Sequence, residues 1–172
     1  FAVYLGGIDD SHHERATLIE ELTHKQPKKI LELGAGGGQT AIAMAQLGNT
    51  VTMIELLEDS VRHALKLIDQ VDQPNVEVVY GDFYEVDLDQ MFDVVCYFDS
   101  FGIGTDEDQR RLLKRVANWL KPNGSVIIEV GATWYWGGIA KGKRMNLGDC
   151  IREYDFDAVG CRLIDRWWLE YD

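Results

Sequence analysis

Short and almost uninterrupted apolar segments recur along this chain, and segments with helical periodicity separate them. The clearest are residues 50–56 (TVTMIEL), 92–98 (FDVVCYF) and 125–130 (SVIIEV). Strands this apolar are buried on both faces, as in a parallel sheet whose crossover connections are helices. The alternation therefore predicts an α/β fold, with a doubly wound, mostly parallel sheet and helices on both faces.

Two further apolar runs, residues 29–33 and 76–80, complete a predicted set of five strands. Ser11 is expected to cap the first helix, because Glu14 follows at the spacing of a capping box. Residues 122–124 (PNG) are predicted to form a turn before the fifth strand. The four predicted helices span residues 11–25, 39–47, 58–70 and 106–120.

The C-terminal part of the chain does not continue this alternation of strands and helices. Its alternation of side chains favours strands around residues 158–160, with a hairpin as one arrangement. We therefore divide the chain into an α/β core over residues 1–131 and a loop with a possible hairpin insertion of the same domain over residues 132–172.

The charge balance narrows the classes of partner. In 172 residues, 29 acidic side chains outnumber 17 basic ones and give a formal net charge of −12. This argues against nucleic acid as the main partner, because phosphate binding depends on clustered lysine and arginine. No apolar run reaches the length of about 18 residues that a membrane-spanning helix needs, so no membrane association is expected.

Three cysteines, at positions 96, 150 and 161, are too few and too scattered for a disulfide framework. No C-x-x-C pair is present, which argues against a structural zinc site. We therefore expect reduced, packed thiols in a cytoplasmic protein.

The residues that follow the first strand form the most informative motif. Residues 32–38 (ELGAGGG) close that strand and lead into a helix. Glycine allows positive φ and a close approach of the backbone to a ligand, and a helix N-terminus offers free N–H groups. The loop therefore predicts a binding site at the carboxyl edge of the sheet, where doubly wound folds bind their ligands.

Acidic residues follow the next two strands. Glu55 ends the second strand and Leu56 comes after it. An acid at this place can accept hydrogen bonds from both hydroxyls of a ribose. Gly81, Asp82 and Phe83 follow the third strand, where the carboxylate can accept from an exocyclic amine such as that of adenine and the ring can pack on the base.

Together, these motifs and the Leu-Lys-Pro-Asn-Gly turn resemble a class I S-adenosylmethionine-dependent methyltransferase over about residues 11–131. The resemblance implies S-adenosylmethionine as cofactor, with S-adenosylhomocysteine as its product. Because the family closes its sheet with a sixth and a seventh strand, it also implies a fold that is incomplete at the C-terminus. The cofactor-binding residues implied by the resemblance are Glu32, Gly34, Ala35, Gly36, Gly38, Glu55, Leu56, Gly81, Asp82, Phe83, Phe98, Asp99 and Ser100.

Two alternatives stay open. An NAD(P)-dependent oxidoreductase would need a dinucleotide fingerprint, but G-x-G-x-x-G counted from Gly34 fails at Gln39, and counted from Gly36 it starts late relative to the strand end. A catalytically silent regulatory module that binds the cofactor is the other alternative, because a fold does not fix a function.

A catalytic base is difficult to assign from the sequence. Methyl transfer is an in-line displacement in which proximity and orientation supply much of the catalysis, although an O or N nucleophile can also need a base. The weak candidates are Asp99, which follows the fourth strand, and His12 and His13 at the start of the first helix.

Absent motifs narrow the acceptor by elimination. Residues 99–102 (DSFG) replace the Asn/Asp-Pro-Pro-Tyr/Phe motif of DNA-amino methyltransferases, and no Pro-Cys nucleophile for cytosine C5 chemistry is present. Glu129 lacks the acidic neighbour of a catechol-type magnesium site, so no metal is expected. A small-molecule acceptor is left, and Trp134, Tyr135 and Trp136 in the acceptor-side loop are candidates for the wall of its pocket.

Overall fold

The computed structural model describes residues 5–24, 27–73, 75–98 and 101–169. The chain divides into two compact units, Phe1–Glu129 and Val130–Asp172. The first unit is an α/β layer structure, and the second combines one helix with a small antiparallel sheet. Within the described residues, none of the helices has the length and apolar character needed to cross a bilayer.

The sheet of the first unit consists of five strands in the order β3-β2-β1-β4-β5, and every neighbouring pair is parallel. The strand order reverses between β1 and β4, which makes the carboxyl edge beside β1 the topological switch point. The predicted doubly wound, parallel sheet is therefore confirmed. Its strands are β1 (Lys29–Leu33), β2 (Thr50–Glu55), β3 (Val76–Tyr80), β4 (Phe92–Tyr97) and β5 (Leu120–Ile128).

Helices cover both faces of this sheet, as the sequence predicted. Because successive side chains of a strand point to opposite faces, Ile30 packs into one apolar cluster with α1, α2 and α3, and Leu31 packs into a second cluster with α4. Burial on both faces explains why β1, β2 and β4 are almost continuously apolar. The expectation of full burial was wrong for residues 125–130, because β5 is an edge strand and is only partly buried. The four helices are α1 (Asp10–Thr23), α2 (Gln39–Gln46), α3 (Glu58–Gln70) and α4 (Asp106–Trp119).

The start of α1 differs from the prediction. Asp9 is the N-cap, and its carboxylate accepts from the Ser11 amide at 3.0 Å. The Asp9 amide donates to Nδ1 of His12 at 3.1 Å, so His12 and not Glu14 completes the capping box. The Ser11 cap was wrong because Asp9 offers a charged acceptor two residues earlier, which the positive end of the helix dipole favours.

Residues 122–124 lie inside β5 rather than before it. The pairing with β4 joins Phe92 to Leu120 and then Val94 to Ser125, so β5 carries extra residues at this point as a bulge. Asn123 has a φ of 67°, in the left-handed region that asparagine adopts more readily than most residues. The segment bends as a turn would, but pairing with β4 continues on both sides of it.

The second unit contains α5 (Thr133–Ala140) and three antiparallel strands in the order β6-β7-β8. The strands are β6 (Arg144–Leu147), β7 (Cys150–Asp157) and β8 (Arg162–Leu169). The predicted hairpin is present, and residues 158–161 form the turn between its strands β7 and β8. The strands expected around residues 158–160 lie on both sides of these residues.

Candidate cofactor site

The loop after β1 leads directly into α2. Gly38 is the N-cap of α2 with a φ of 80°, and a Cβ there would lie 2.9 Å from Cβ of Ala64 and 3.1 Å from Sδ of Met53. Both conformation and packing therefore require glycine at position 38. Gly36 has a φ of 56°, but a Cβ there would meet nothing within 4 Å. The open space beside Gly36 would allow a ligand to approach the backbone closely.

Glu55 fixes this loop from the end of β2. Its carboxylate is buried; Oε2 accepts from the Gly36 amide and Oε1 accepts from the Leu57 amide, each at 2.8 Å. The Ala35 amide adds a third link by donating to the Ile54 carbonyl at 3.1 Å. Since a carboxylate has about four acceptor positions, Glu55 can hold the loop and still accept from a ligand.

A single helical turn follows β3. The amides of Glu85 and Val86 donate to the Asp82 carbonyl at 2.8 and 2.9 Å, and the Tyr84 amide donates to Oδ1 of Asp82 at 2.8 Å. A Cβ on Gly81 would lie 2.5 Å from Cγ1 of Val86, so the turn closes only over glycine. The Gly-Asp pair is thus explained locally, and Oδ2 of Asp82 is the oxygen left for a ligand.

Phe83 belongs to this turn, and its ring approaches the glycine loop at Gly34. Its ring centroid is 5.5 Å from that of Tyr97 in an edge-to-face arrangement. A Cβ on Gly34 would come within 3.9 Å of the Phe83 ring. The structure therefore brings the ends of β1, β2 and β3 together around one edge, with Gly34, Gly36, Glu55, Asp82 and Phe83 close to it.

Glu32, the residue of β1 that precedes this edge, is fully enclosed. Its Oε2 has no hydrogen-bond partner among the described residues. Burial raises the pKa of Glu32 to about 8, an effect that the charge of Arg15 opposes and that of Glu55 increases. At neutral pH the carboxyl group is therefore mostly protonated. An unpaired buried oxygen is costly, so a donor placed beside this one would stabilise the site.

Arg15, on α1, belongs to the same neighbourhood but was not among the predicted site residues. Its guanidinium lies 2.9 Å from the Glu129 carboxylate and 4.8 Å from the ring centroid of Phe98. It thereby ties α1 to the carboxyl ends of β4 and β5. No local pattern marks this arginine, because its partners lie far away in the chain.

The remaining predicted site residues of the first unit that the structure describes are exposed or make contacts that stabilise the fold. The Leu56 side chain is exposed, and Phe98 is buried beneath Arg15. His12 completes the capping box of α1, and His13 is exposed on the same helix. Asp99 and Ser100 fall outside the described residues.

The three aromatic residues predicted to contact the acceptor lie in the second unit, on α5 and not in a loop. Trp134 is the most exposed, at 74%, and Tyr135 is also exposed. Trp136 is 37% exposed, and its ring centroid lies 6.3 Å from that of Tyr154 on β7. Trp136 is therefore partly engaged within its own unit, whereas Trp134 is available for other contacts.

A cavity of about 250 Å³ lies at the opposite, amino edge of the sheet, beside Thr23 and Asn123. The carboxylate in its wall, Asp93, accepts from the Lys29 amide at 2.8 Å and from Nζ of Lys121 at 2.9 Å. These contacts are structural, and the cavity is not part of the carboxyl edge. Among the described ranges, no group of three or more His, Cys, Asp or Glu residues is placed to hold a metal ion.

Comparison with known proteins defines the class. Residues 30–124 match the family model described as a methyltransferase domain. The match covers more than half of the chain and includes the glycine loop, Glu55 and the Gly-Asp turn. The chain therefore belongs to the methyltransferase domain family, as its motifs predicted.

Individual proteins of similar sequence are also named as methyltransferases. The cypemycin N-terminal methyltransferase of a Streptomyces species is 30% identical over 106 residues, which are 59% of this chain and 41% of that protein. The ubiquinone biosynthesis O-methyltransferase of Idiomarina loihiensis is 33% identical over 106 residues, which are 58% of this chain and 40% of that protein. The chain thus spans about two-fifths of the length of these relatives.

Solved structures support the fold. An S-adenosylmethionine-dependent methyltransferase from Clostridium acetobutylicum aligns with a TM-score of 0.74 and 13% sequence identity, covering 99% of this chain and 72% of that chain. At this identity the likeness concerns the fold alone.

Proposed function

We propose that this chain binds S-adenosylmethionine and is part of an enzyme that transfers its methyl group to an O or N atom of a small molecule. The observation that carries the proposal is the buried carboxylate of Glu55. It lies 2.8 Å from the Gly36 amide, at the switch point of the sheet, and keeps acceptor positions for a ligand. Membership of the methyltransferase domain family supports the same function.

The acceptors at this edge suit the donors that the cofactor offers. Glu55 would accept from the ribose hydroxyls, and Asp82 would accept from the adenine amine beside the ring of Phe83. Glu32, with its unpartnered Oε2, would accept from the methionine ammonium. The other proposed contacts are Gly34, Ala35, Gly36, Gly38, Leu56, Gly81, Phe98, Asp99 and Ser100.

When bound, the sulfonium supplies an activated methyl group. The chain's own contribution is mainly orientation, because fixed acceptors at three strand ends set the position of the ligand relative to an acceptor molecule. Glu32 would give up its proton as the ammonium arrives, because a nearby positive charge favours the ionised carboxylate. Asp99, His12 and His13 are the residues we propose to examine for a catalytic base.

We further propose that residues 132–172 form the acceptor side of the enzyme. The support is the exposed aromatic surface on α5, since tryptophan and tyrosine offer rigid apolar area with a polar edge. Two relatives are named as an N-terminal methyltransferase and an O-methyltransferase, which is in line with transfer to either kind of atom.

Transfer of an isotope-labelled methyl group tests the activity. Purified protein is incubated with methyl-labelled S-adenosylmethionine and panels of small amines, phenols and carboxylates. We expect labelled product together with an equal amount of S-adenosylhomocysteine for one chemical class. Binding of the cofactor without label transfer in any panel would instead indicate a binding module, and failure to bind it would refute the proposed function.

A further inference from the structure

We infer that Arg115, on α4, is a positioning residue for recognition of the adenine base. The inference rests on the proposed function, because it assigns to this side chain the task of holding the turn that carries Asp82 and Phe83. Arg115 contacts the backbone carbonyls of that turn, and we assign it no direct contact with the cofactor.

A single guanidinium bridges two carbonyl groups of the turn. Nε of Arg115 donates to the Phe83 carbonyl at 2.9 Å, and Nη2 donates to the Val86 carbonyl. These carbonyls lie at the open end of the helical turn that begins at Asp82, where backbone acceptors have no partner within the turn. Arg115 supplies the missing donors, and the planar fork of arginine suits two acceptors at once.

The arginine is itself held in place. Its guanidinium lies 4.9 Å from the ring centroid of Trp119, one turn further along α4. Trp119 is buried, so the platform under the arginine is part of the core. A second contact between α4 and the turn is made by Arg111, whose guanidinium lies 4.5 Å from the ring centroid of Tyr84. Helix α4 therefore fixes the turn through two arginine side chains.

The direction of the Asp82 carboxylate depends on this arrangement. Its Oδ1 is already occupied by the Tyr84 amide at 2.8 Å, so Oδ2 can accept from a base only if the turn keeps its present orientation. Removal of the Arg115 contacts leaves two carbonyls unsatisfied and frees the turn to shift. The expected consequence is a selective loss of recognition of the adenine amine, while contacts from Glu55 to the ribose persist.

The test compares two ligands that differ only at the base. S-Adenosylhomocysteine carries the amine that Asp82 would accept from, and S-inosylhomocysteine carries an oxygen there, which an ionised carboxylate repels. We expect the wild-type chain to bind the adenosyl compound at least tenfold more tightly. In Arg115→Met this ratio should fall towards unity, mainly through weaker binding of the adenosyl compound.

Two further variants separate positioning from a general effect. Arg110→Met removes the same charge from an exposed site on α4 and should leave the ratio at its wild-type value. Arg115→Lys keeps the charge but has one nitrogen in place of the fork, so it should recover only part of the ratio. Thermal unfolding of each variant confirms that the folded state is being compared.

The outcomes distinguish the inference from the function on which it rests. A wild-type ratio in Arg115→Met, or an equal loss of both ligands, would overturn the role of Arg115. A wild-type chain that binds both ligands without preference would also overturn the role of Arg115, because the turn would then not distinguish the two bases. A wild-type chain that binds neither ligand contradicts the proposed function itself.

Discussion

The Oε2 atom of Glu55 lies 2.8 Å from the amide nitrogen of Gly36, so the residue that ends β2 holds the loop that follows β1. Glu55 thereby shapes the glycine loop. We propose that its remaining acceptor positions bind the cofactor. Both roles depend on the parallel pairing of β1 with β2, which brings the two strand ends side by side.

Replacing Glu55 with alanine should weaken binding of S-adenosylhomocysteine by roughly 10- to 150-fold, the effect of losing one charge-assisted hydrogen bond of about 1.5–3 kcal/mol. Isothermal titration gives the dissociation constant. Glu58→Ala is the matched control, because its side chain is 71% exposed at the start of α3. Equal affinities of wild type and Glu55→Ala would remove Glu55 from the site.

The buried Glu32 predicts an unusual pH dependence of stability. Its folded pKa of about 8 exceeds the ordinary 4.5, so the folded state binds more protons between these values. The free energy of unfolding should therefore fall as pH rises from about 5 to about 8, by up to roughly 3–5 kcal/mol from this one group. Below pH 4.5 the group should contribute no pH dependence.

Glu32→Gln tests this directly, because glutamine is uncharged at every pH. Denaturant unfolding at pH 5, 6, 7 and 8 should show a flatter pH profile for the variant, with its relative stability highest at pH 8. Parallel profiles for both proteins would mean that Glu32 is ionised in the folded state throughout.

Two positions of the glycine loop separate the stability cost of backbone strain from that of a packing clash. Gly36→Ala and Gly38→Ala both place a side chain at positive φ, which costs about 1–2 kcal/mol. Only at position 38 does the new Cβ also meet buried atoms, 2.9 Å from Cβ of Ala64. Gly38→Ala should therefore be less stable than Gly36→Ala by about 1–3 kcal/mol in urea unfolding. Equal losses would show that the contact with Ala64 relaxes without cost.

We expect different results from substitutions of the aromatic residues of α5. Trp134→Ala should leave the melting temperature nearly unchanged, because the side chain is 74% exposed, but should raise KM for the acceptor once one is identified. Trp136→Ala should lower the melting temperature as well, since Trp136 contacts Tyr154. Steady-state kinetics with cofactor in excess separates the two effects. Unchanged acceptor KM and kcat in both variants would place the acceptor elsewhere.

Most of the first unit could be predicted from the sequence because its signals are local. The apolar runs that became β1, β2 and β4 are buried on both faces, and the ends of β1, β2 and β3 carry their own motifs. The start of α1 was less predictable, because both Asp9 and Ser11 can cap a helix and the choice depends on the ring of His12.

Long-range contacts were beyond a reading of the sequence. Arg15 reaches Glu129, and Arg115 reaches the Phe83 carbonyl, yet neither arginine stands in a recognisable pattern. The ends of the two hairpin strands around residues 158–160 could not be predicted for a related reason. Strand pairing across β7 and β8 fixes the turn, and alternation along a single strand does not reveal where pairing ends.

Calorimetric titration of the wild-type chain with S-adenosylmethionine, S-adenosylhomocysteine and NAD shows which class of cofactor the site binds. We predict binding of the two sulfur nucleosides at micromolar concentrations and no binding of NAD. Binding of NAD in preference to both nucleosides would contradict this prediction, because the Glu55 and Asp82 acceptors would then serve a dinucleotide.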